Sequence, residues 1–192
     1  MRFLSINTSS NLCSVSFFDN SIVNSIEEMD VKDHSKYIAI NTKKLIKNNS
    51  HLIDFIAVSI GPGSYAGLKV GLSFAKGLSL ALNKPIVPID NFTCMNMNIR
   101  DKNEYYICIY SHRKYVYSQL YKKSINHGKP NCTNIEHLKK IKIYGYGLDK
   151  IDNVNYQEII PNSRIIGEFA LKNYKKFIEH DINKVTPIYL DV

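Results

Sequence analysis

Apolar and polar positions alternate or cluster along the chain in a way that marks out its elements. RFLSI (2–6) and CSVSFF (13–18) gather β-formers around the turn-like NTSSN, and a third strand is predicted near 22–28 after a turn at Asp19-Asn20. DHSKYIAINTKKLIKNNS predicts a helix over about 34–47, with Asp33 as N-cap, lysines gathering toward its end and Asn48-Asn49 as its stop. LIDFIAVSI is a continuous apolar run of strand length, as in a buried strand of a parallel or mixed sheet. The stretch GPGSYAGLKVG then leads into a helix over about 64–82 that stops before Asn83-Lys84-Pro85, and PIVPID is a second buried strand. A strand–helix–strand unit of this length implies a right-handed crossover between parallel neighbours. After about residue 100, YYICIYSHRKYVYSQLYKK reads as two Tyr- and Ile-rich strands joined at Ser111–Lys114. A strand near 141–144, a helix near 164–179 and a last strand at TPIYL complete the pattern.

The helix at 64–82 raises the sharpest question. Gly63, Gly67 and Gly71 lie four apart with Ala75 continuing the row, while Ser73, Gly77 and Ala81 form a second row of small side chains. Each mid-helix glycine costs about 0.5–1 kcal/mol relative to alanine, so something must offset Gly67, Gly71 and Gly77. Leu68, Val70, Leu72, Phe74, Leu78, Leu80 and Leu82 point in every direction, giving a helix with two dry faces. One face can cover a sheet, and the other calls for a second element at close range. The helix at 34–47 supplies part of that cover through Tyr37, Ile38 and Leu45, yet Lys36, Asn41, Lys43 and Lys44 leave it too polar to supply all of it. Either the two helices pack only inside the fold, or together they form a surface for another protein. The expected partner-binding set is Tyr37, Ile38, Asn41, Leu45, Gly67, Val70, Gly71, Phe74, Ala75 and Leu78.

A glycine turn between strand and helix is also where anions bind. The P-loop pattern fails here, because Gly67 is followed by Leu68-Lys69-Val70. Gly61-Pro62-Gly63-Ser64-Tyr65-Ala66 does fit the dinucleotide pattern G-x-G-x-x-A, with Asp90 ending the next strand. Against it, the unit does not open the domain, Pro62 removes an N–H that a diphosphate would use, and too little chain follows. Protein binding is the stronger reading of the stretch, and no cofactor is expected. Thr8, Ser9 and Ser10 fit turn chemistry better than a phosphate wrap.

Composition narrows the classes further. The 192 residues are 44% hydrophobic, with no run long enough to span a membrane and no secretory signal. Cys13, Cys94, Cys108 and Cys132 form no C-x-x-C pair, which points to free thiols rather than zinc and to a cytoplasmic setting. The formal charge of +8 is almost all lysine, with arginine only at 2, 100, 113 and 164. Lysine is the poorer bidentate partner for phosphate, so a solvated lysine face is the expected reading, with a weak role in holding RNA near a partner left open.

GPGSYAGLKVGLSFAKGLSLALNKPIVPID resembles the signature stretch of the TsaB (YeaZ) family, supported by LSINTSSNLCSVSFFDN, DHSKYIAI, SHRKYVY and TPIYL. The resemblance implies an α/β actin/Hsp70-like fold of two ribonuclease-H-like lobes of mixed sheet flanked by helices, the second reduced. The lobes are expected at 1–95 and 96–192, with a boundary between 91 and 104. It also implies a non-catalytic accessory subunit that pairs through its N-terminal helices with TsaD, the paralogue that threonylcarbamoylates adenosine 37 of tRNA. A TsaE-like ATPase joins the assembly, tRNA is reached only via the complex, and the same helices allow a homodimer.

The chain departs from the family pattern in several places. Asn7 stands where relatives often keep an Asp for a nucleotide-bound metal, and Ser111-His112-Arg113 replaces the usual Asp-Ala-Arg. Lys69 replaces an Arg, and Leu190-Asp191 ends what is commonly a Tyr-Leu-Arg tail. The paralogue's His-x-x-x-His is missing, since Ile38 lies four residues after His34, so no metal site is expected. These losses point away from independent catalysis. The alternative is a small actin-fold ATPase or kinase-like enzyme acting alone; a peptidase reading lacks any Cys/His or Ser/His arrangement.

Overall fold

The computed structural model describes residues 1–20, 22–47 and 52–190, in two compact units. The first comprises Met1–Asn91 with Pro161–Ile188, and the second Phe92–Ile160 with Tyr189 and Leu190.

In the first unit β1 (Arg2–Asn7), β2 (Cys13–Asp19) and β3 (Ile22–Glu28) form an antiparallel meander. The helix α1 (His34–Ile46) leads to β4 (Phe55–Ser59), which lies parallel to β1, and α2 (Tyr65–Leu82) leads to β5 (Ile86–Ile89), parallel to β4. The sheet order is β3-β2-β1-β4-β5. Asp33 caps α1 by accepting from the N–H groups of Ser35 and Lys36, and Ser64 caps α2 by accepting from Gly67. Asn83 ends α2 in the left-handed region. The expected stop of α1, Asn48-Asn49, lies outside the described residues.

Alternation along β1, β2 and β4 gives this sheet two dry faces. Leu4, Ile6, Val15, Phe17, Ile56 and Val58 join Ile38, Ile46, Leu72 and Ala75 in one core. On the other face the Phe3 ring stacks between Phe18 at 4.5 Å and Phe55 at 4.4 Å, and Phe55 stacks on Tyr174 at 5.3 Å. Tyr174 belongs to α4 (Ser163–Phe177), whose first residue is stitched to the sheet: Ser163 N–H donates to Ser14 Oγ, and Ser5 Oγ donates to the Ser163 carbonyl. The C-terminal helix, expected with the second lobe, is therefore part of the first unit, because its apolar stripe is what covers the Phe3 face.

The second unit opens with the short α3 (Asn91–Asn96), whose first residue closes the first unit. Its sheet holds β6 (Glu104–His112), β7 (Tyr115–Lys122), β8 (Ile125–Asn134), β9 (Lys142–Tyr146) and β10 (Gln157–Glu158). The order β8-β7-β6-β9-β10 is antiparallel through β6, β7 and β8 and parallel from β6 to β9 to β10. Each unit thus repeats the same five-strand topology, with fewer and shorter helices in the second. One expectation needs correction. TPIYL forms no strand, although Ile188 N–H still donates to the Ile60 carbonyl at 2.8 Å. The strand β8 was not foreseen at all; its polar sequence is held by pairing to β7 along a solvent-facing edge.

Candidate partner-binding face

The turn between β1 and β2 and the glycine stretch before α2 are locked together by a buried polar network. Asn91 is its hub: its Oδ1 accepts from Asn7 Nδ2 (3.1 Å) and Ser59 Oγ (2.8 Å), and its Nδ2 donates to Ser9 Oγ (2.7 Å) and the Pro62 carbonyl (2.7 Å). Ser9 Oγ in turn donates to Asn7 Oδ1 at 2.6 Å. Thr8 Oγ1 donates to the Gly67 carbonyl at 2.7 Å, and Ser64 N–H donates to the Ser9 carbonyl at 2.7 Å. The loop that would cradle a phosphate or a metal-bound nucleotide is thus occupied by contacts within the chain. Asn7 spends its amide on Asn91 and Ser9 and brings no charge for a hard cation.

This network also identifies the neighbour that needs glycine. A Cβ at Gly63 would lie 2.9 Å from Ser9 Cβ; one at Gly67 would fall within 3.0 Å of the Thr8 carbonyl oxygen, and one at Gly71 within 3.0 Å of Thr8 Oγ1. The row Gly63-Gly67-Gly71 exists so that α2 can lie against the β1–β2 turn of its own chain. That corrects the expectation that the row is shaped by a second helix approaching from outside.

The other flank differs. A Cβ at Gly77 would meet nothing within 4 Å. Around it Ala66, Ser73, Leu80 and Ala81 are exposed, Leu80 at 68%, and Val70, Phe74 and Leu78 are half-buried. Helical spacing puts Ala66, Val70, Ser73, Phe74, Gly77 and Ala81 on one outward face without a charge, with Lys69 and Lys76 to its side. An outward helix face normally carries the charges.

Of the ten residues expected to bind a partner, the structure therefore keeps Val70, Phe74 and Leu78 half-exposed on α2, and Tyr37 and Leu45 half-exposed on α1. Gly67, Gly71, Ala75, Ile38 and Asn41 are buried within their own unit. Asn41 is notable, since neither its amide nitrogen nor its oxygen has a hydrogen-bond partner, and the Thr42 hydroxyl beside it has none either. Sequence reasoning passed over Ala66, Tyr65 (59% exposed) and Ile40 (42% exposed), although the apolar all-round character of α2 carried the signal for the first two.

Little else in the described residues has the form of reactive chemistry. No group of three or more His, Cys, Asp or Glu is placed to hold a metal among them. Burial pushes the Cys13 thiol up to about 11 and raises Cys108 as well, so both are held as thiols. His34 has its imidazole pKa lowered, chiefly by desolvation, and His112 is an exposed ring stacked on Tyr115 at 5.2 Å. No helix among the described residues is long and apolar enough to cross a membrane.

Comparison with known proteins brings the family into view. The family model described as "TsaD: tRNA N6-adenosine threonylcarbamoyltransferase" matches residues 22–143, more than half of the chain. A "tRNA threonylcarbamoyladenosine biosynthesis protein TsaB" of Buchnera aphidicola is 26% identical over 94% of this chain and 95% of its own length. A tRNA N6-adenosine threonylcarbamoyltransferase of Borrelia garinii is 36% identical, over 47% of this chain and 32% of its own length. The solved structure "YeaZ from Pseudomonas aeruginosa" superposes with a TM-score of 0.81 at 17% identity, covering 98% of this chain and 99% of that one, and so shares its fold. The expected two-lobed actin-like α/β fold is the one observed. By its matched residues, its full-length relative and its architecture, the chain belongs to the TsaD family, as a member of the TsaB (YeaZ) branch.

Proposed function

We propose that this chain is a non-catalytic accessory subunit that binds and supports a TsaD-like transferase in the threonylcarbamoylation of adenosine 37 of tRNA. The observation that carries the reading is the uncharged outward face of α2 around Gly77. That glycine lowers helix stability with no neighbour among the described residues to explain it, which suits a surface that a second helix must approach closely. The names of the relatives supply the pathway, and the internal hydrogen bonding of Asn7, Thr8 and Ser9 speaks against a nucleotide-handling loop. In this reading the partner's helices lie across Val70, Phe74, Leu78 and the exposed small residues, with Tyr37 and Leu45 of α1 at the margin. A TsaE-like ATPase completes the assembly in the cytoplasm, and without the transferase two copies pair through the same face.

The test is reconstitution. The chain alone, given tRNA, ATP and threonylcarbamoyl-adenylate, is expected to make no modified nucleoside; added to a TsaD-like protein it is expected to co-purify with it and raise product formation. Turnover by the chain alone, or a TsaD-like protein that neither binds it nor responds to it, would overturn the reading.

A further inference from the structure

At one end of the second sheet the charges are unevenly matched. The loop before β6 brings Arg100, Asp101 and Lys102, the β7–β8 turn brings Lys122, Lys123 and Ser124, and β9 begins at Lys142. Both carboxylates there are already taken. Lys142 Nζ sits 3.0 Å from Asp101 Oδ2, which also accepts from the Tyr144 hydroxyl at 3.1 Å, and Lys122 Nζ sits 2.6 Å from Glu104. Arg100, Lys102 and Lys123 are left with no ion pair among the described residues, and all three line one cavity of about 430 Å³ together with Ile99, Asp101 and Ser124. Like charges collected around one hollow repel, and the arrangement is favourable once an anion sits among them.

The turn itself is built to hold that position. Lys123 (φ 51°) and Ser124 (φ 63°) both lie in the left-handed region, where a two-residue hairpin ordinarily places Asn-Gly. Asn96 Nδ2 donates to the Ser124 carbonyl at 2.9 Å, which fixes the turn to α3 within the same unit. A cation is thus carried at a left-handed backbone position that lysine does not favour.

We propose that Arg100, Lys102 and Lys123 bind backbone phosphates of RNA. An open hollow with three unpaired cations and a hydroxyl matches spaced phosphodiesters better than one enclosed small anion. The inference rests on the proposed function for naming RNA as the occupant, and goes beyond it by giving the chain a direct contact. The test uses the full chain and a labelled tRNA transcript, with anisotropy read across a salt series. The triple variant R100A/K102A/K123A is expected to bind roughly tenfold or more weakly at low salt, with the slope of log K against log salt shallower by about 2 to 3. K172A/K175A/K176A on α4, which removes the same charge elsewhere, is expected to bind as the wild type does. Equal weakening in both variants, no weakening in the first, or tight binding of inorganic pyrophosphate at the cluster with no RNA affinity, would overturn the proposal. Pairing with a TsaD-like protein, measured on the same samples, should be unchanged in R100A/K102A/K123A; a wild-type chain that fails to pair counts against the functional reading alone.

Discussion

Two glycines ten residues apart on α2 are expected to respond to alanine with opposite signs. Replacing a mid-helix glycine by alanine gains about 0.5–1 kcal/mol from backbone entropy alone. At Gly77 the new methyl meets nothing within 4 Å, so Gly77→Ala should show that gain in full. At Gly67 the methyl falls within 3.0 Å of the Thr8 carbonyl oxygen, and that turn cannot swing aside. Thr8 Oγ1 is bonded to the Gly67 carbonyl itself, and the Ser9 carbonyl is held by Ser64 N–H. Overpacking against a fixed backbone costs about 3 kcal/mol, the upper end of the usual range, so Gly67→Ala should destabilise by about 2 kcal/mol after the helix gain is subtracted. With a urea slope of about 2 kcal/mol per molar, the far-UV midpoint should rise by about 0.4 M for Gly77→Ala and fall by about 1 M for Gly67→Ala. A rise for both variants would refute the assignment of the glycine row to an internal contact.

Asn91→Ala should destabilise the first unit by about 3 kcal/mol in urea titration, since it leaves Asn7, Ser9 and Ser59 buried without their shared partner; a loss under about 1 kcal/mol would show the network to be incidental. Stability should also fall as pH drops through the histidine range. Burial lowers the folded-state pKa of His34 below its ordinary 6.5, so the unfolded chain binds the proton first, and the contribution is complete above 6.5 and lost as pH falls below it. Thermal melts between pH 7.5 and 5.5 should show that decline, and His34→Leu should flatten it; an unchanged slope would count against His34 as its source.

The hydrophobic pattern made the first unit legible because its signals are local. The apolar run at 52–60, the cap at Asp33 and the stop at Asn83 each act within a few residues of where they are read. The failures are non-local. INHGKPNCTN, with Gly128 and Pro130, carries no apolar strand pattern, and becomes β8 only because β7 offers it a ladder and an edge tolerates both residues. The stripe on α4 announces a buried face without saying which sheet receives it. Glycine spacing likewise announced a close approach on α2, while the neighbour, Thr8, lies 59 residues earlier.

Pairing affinity of Gly77→Arg for a TsaD-like protein tests the account most directly, since position 77 has room for a side chain in the free chain and none across a tight helix contact. The account predicts a urea midpoint no lower than that of the wild type together with a Kd weakened by roughly 100-fold or more. A folded Gly77→Arg chain that binds the transferase as tightly as the wild type would contradict it.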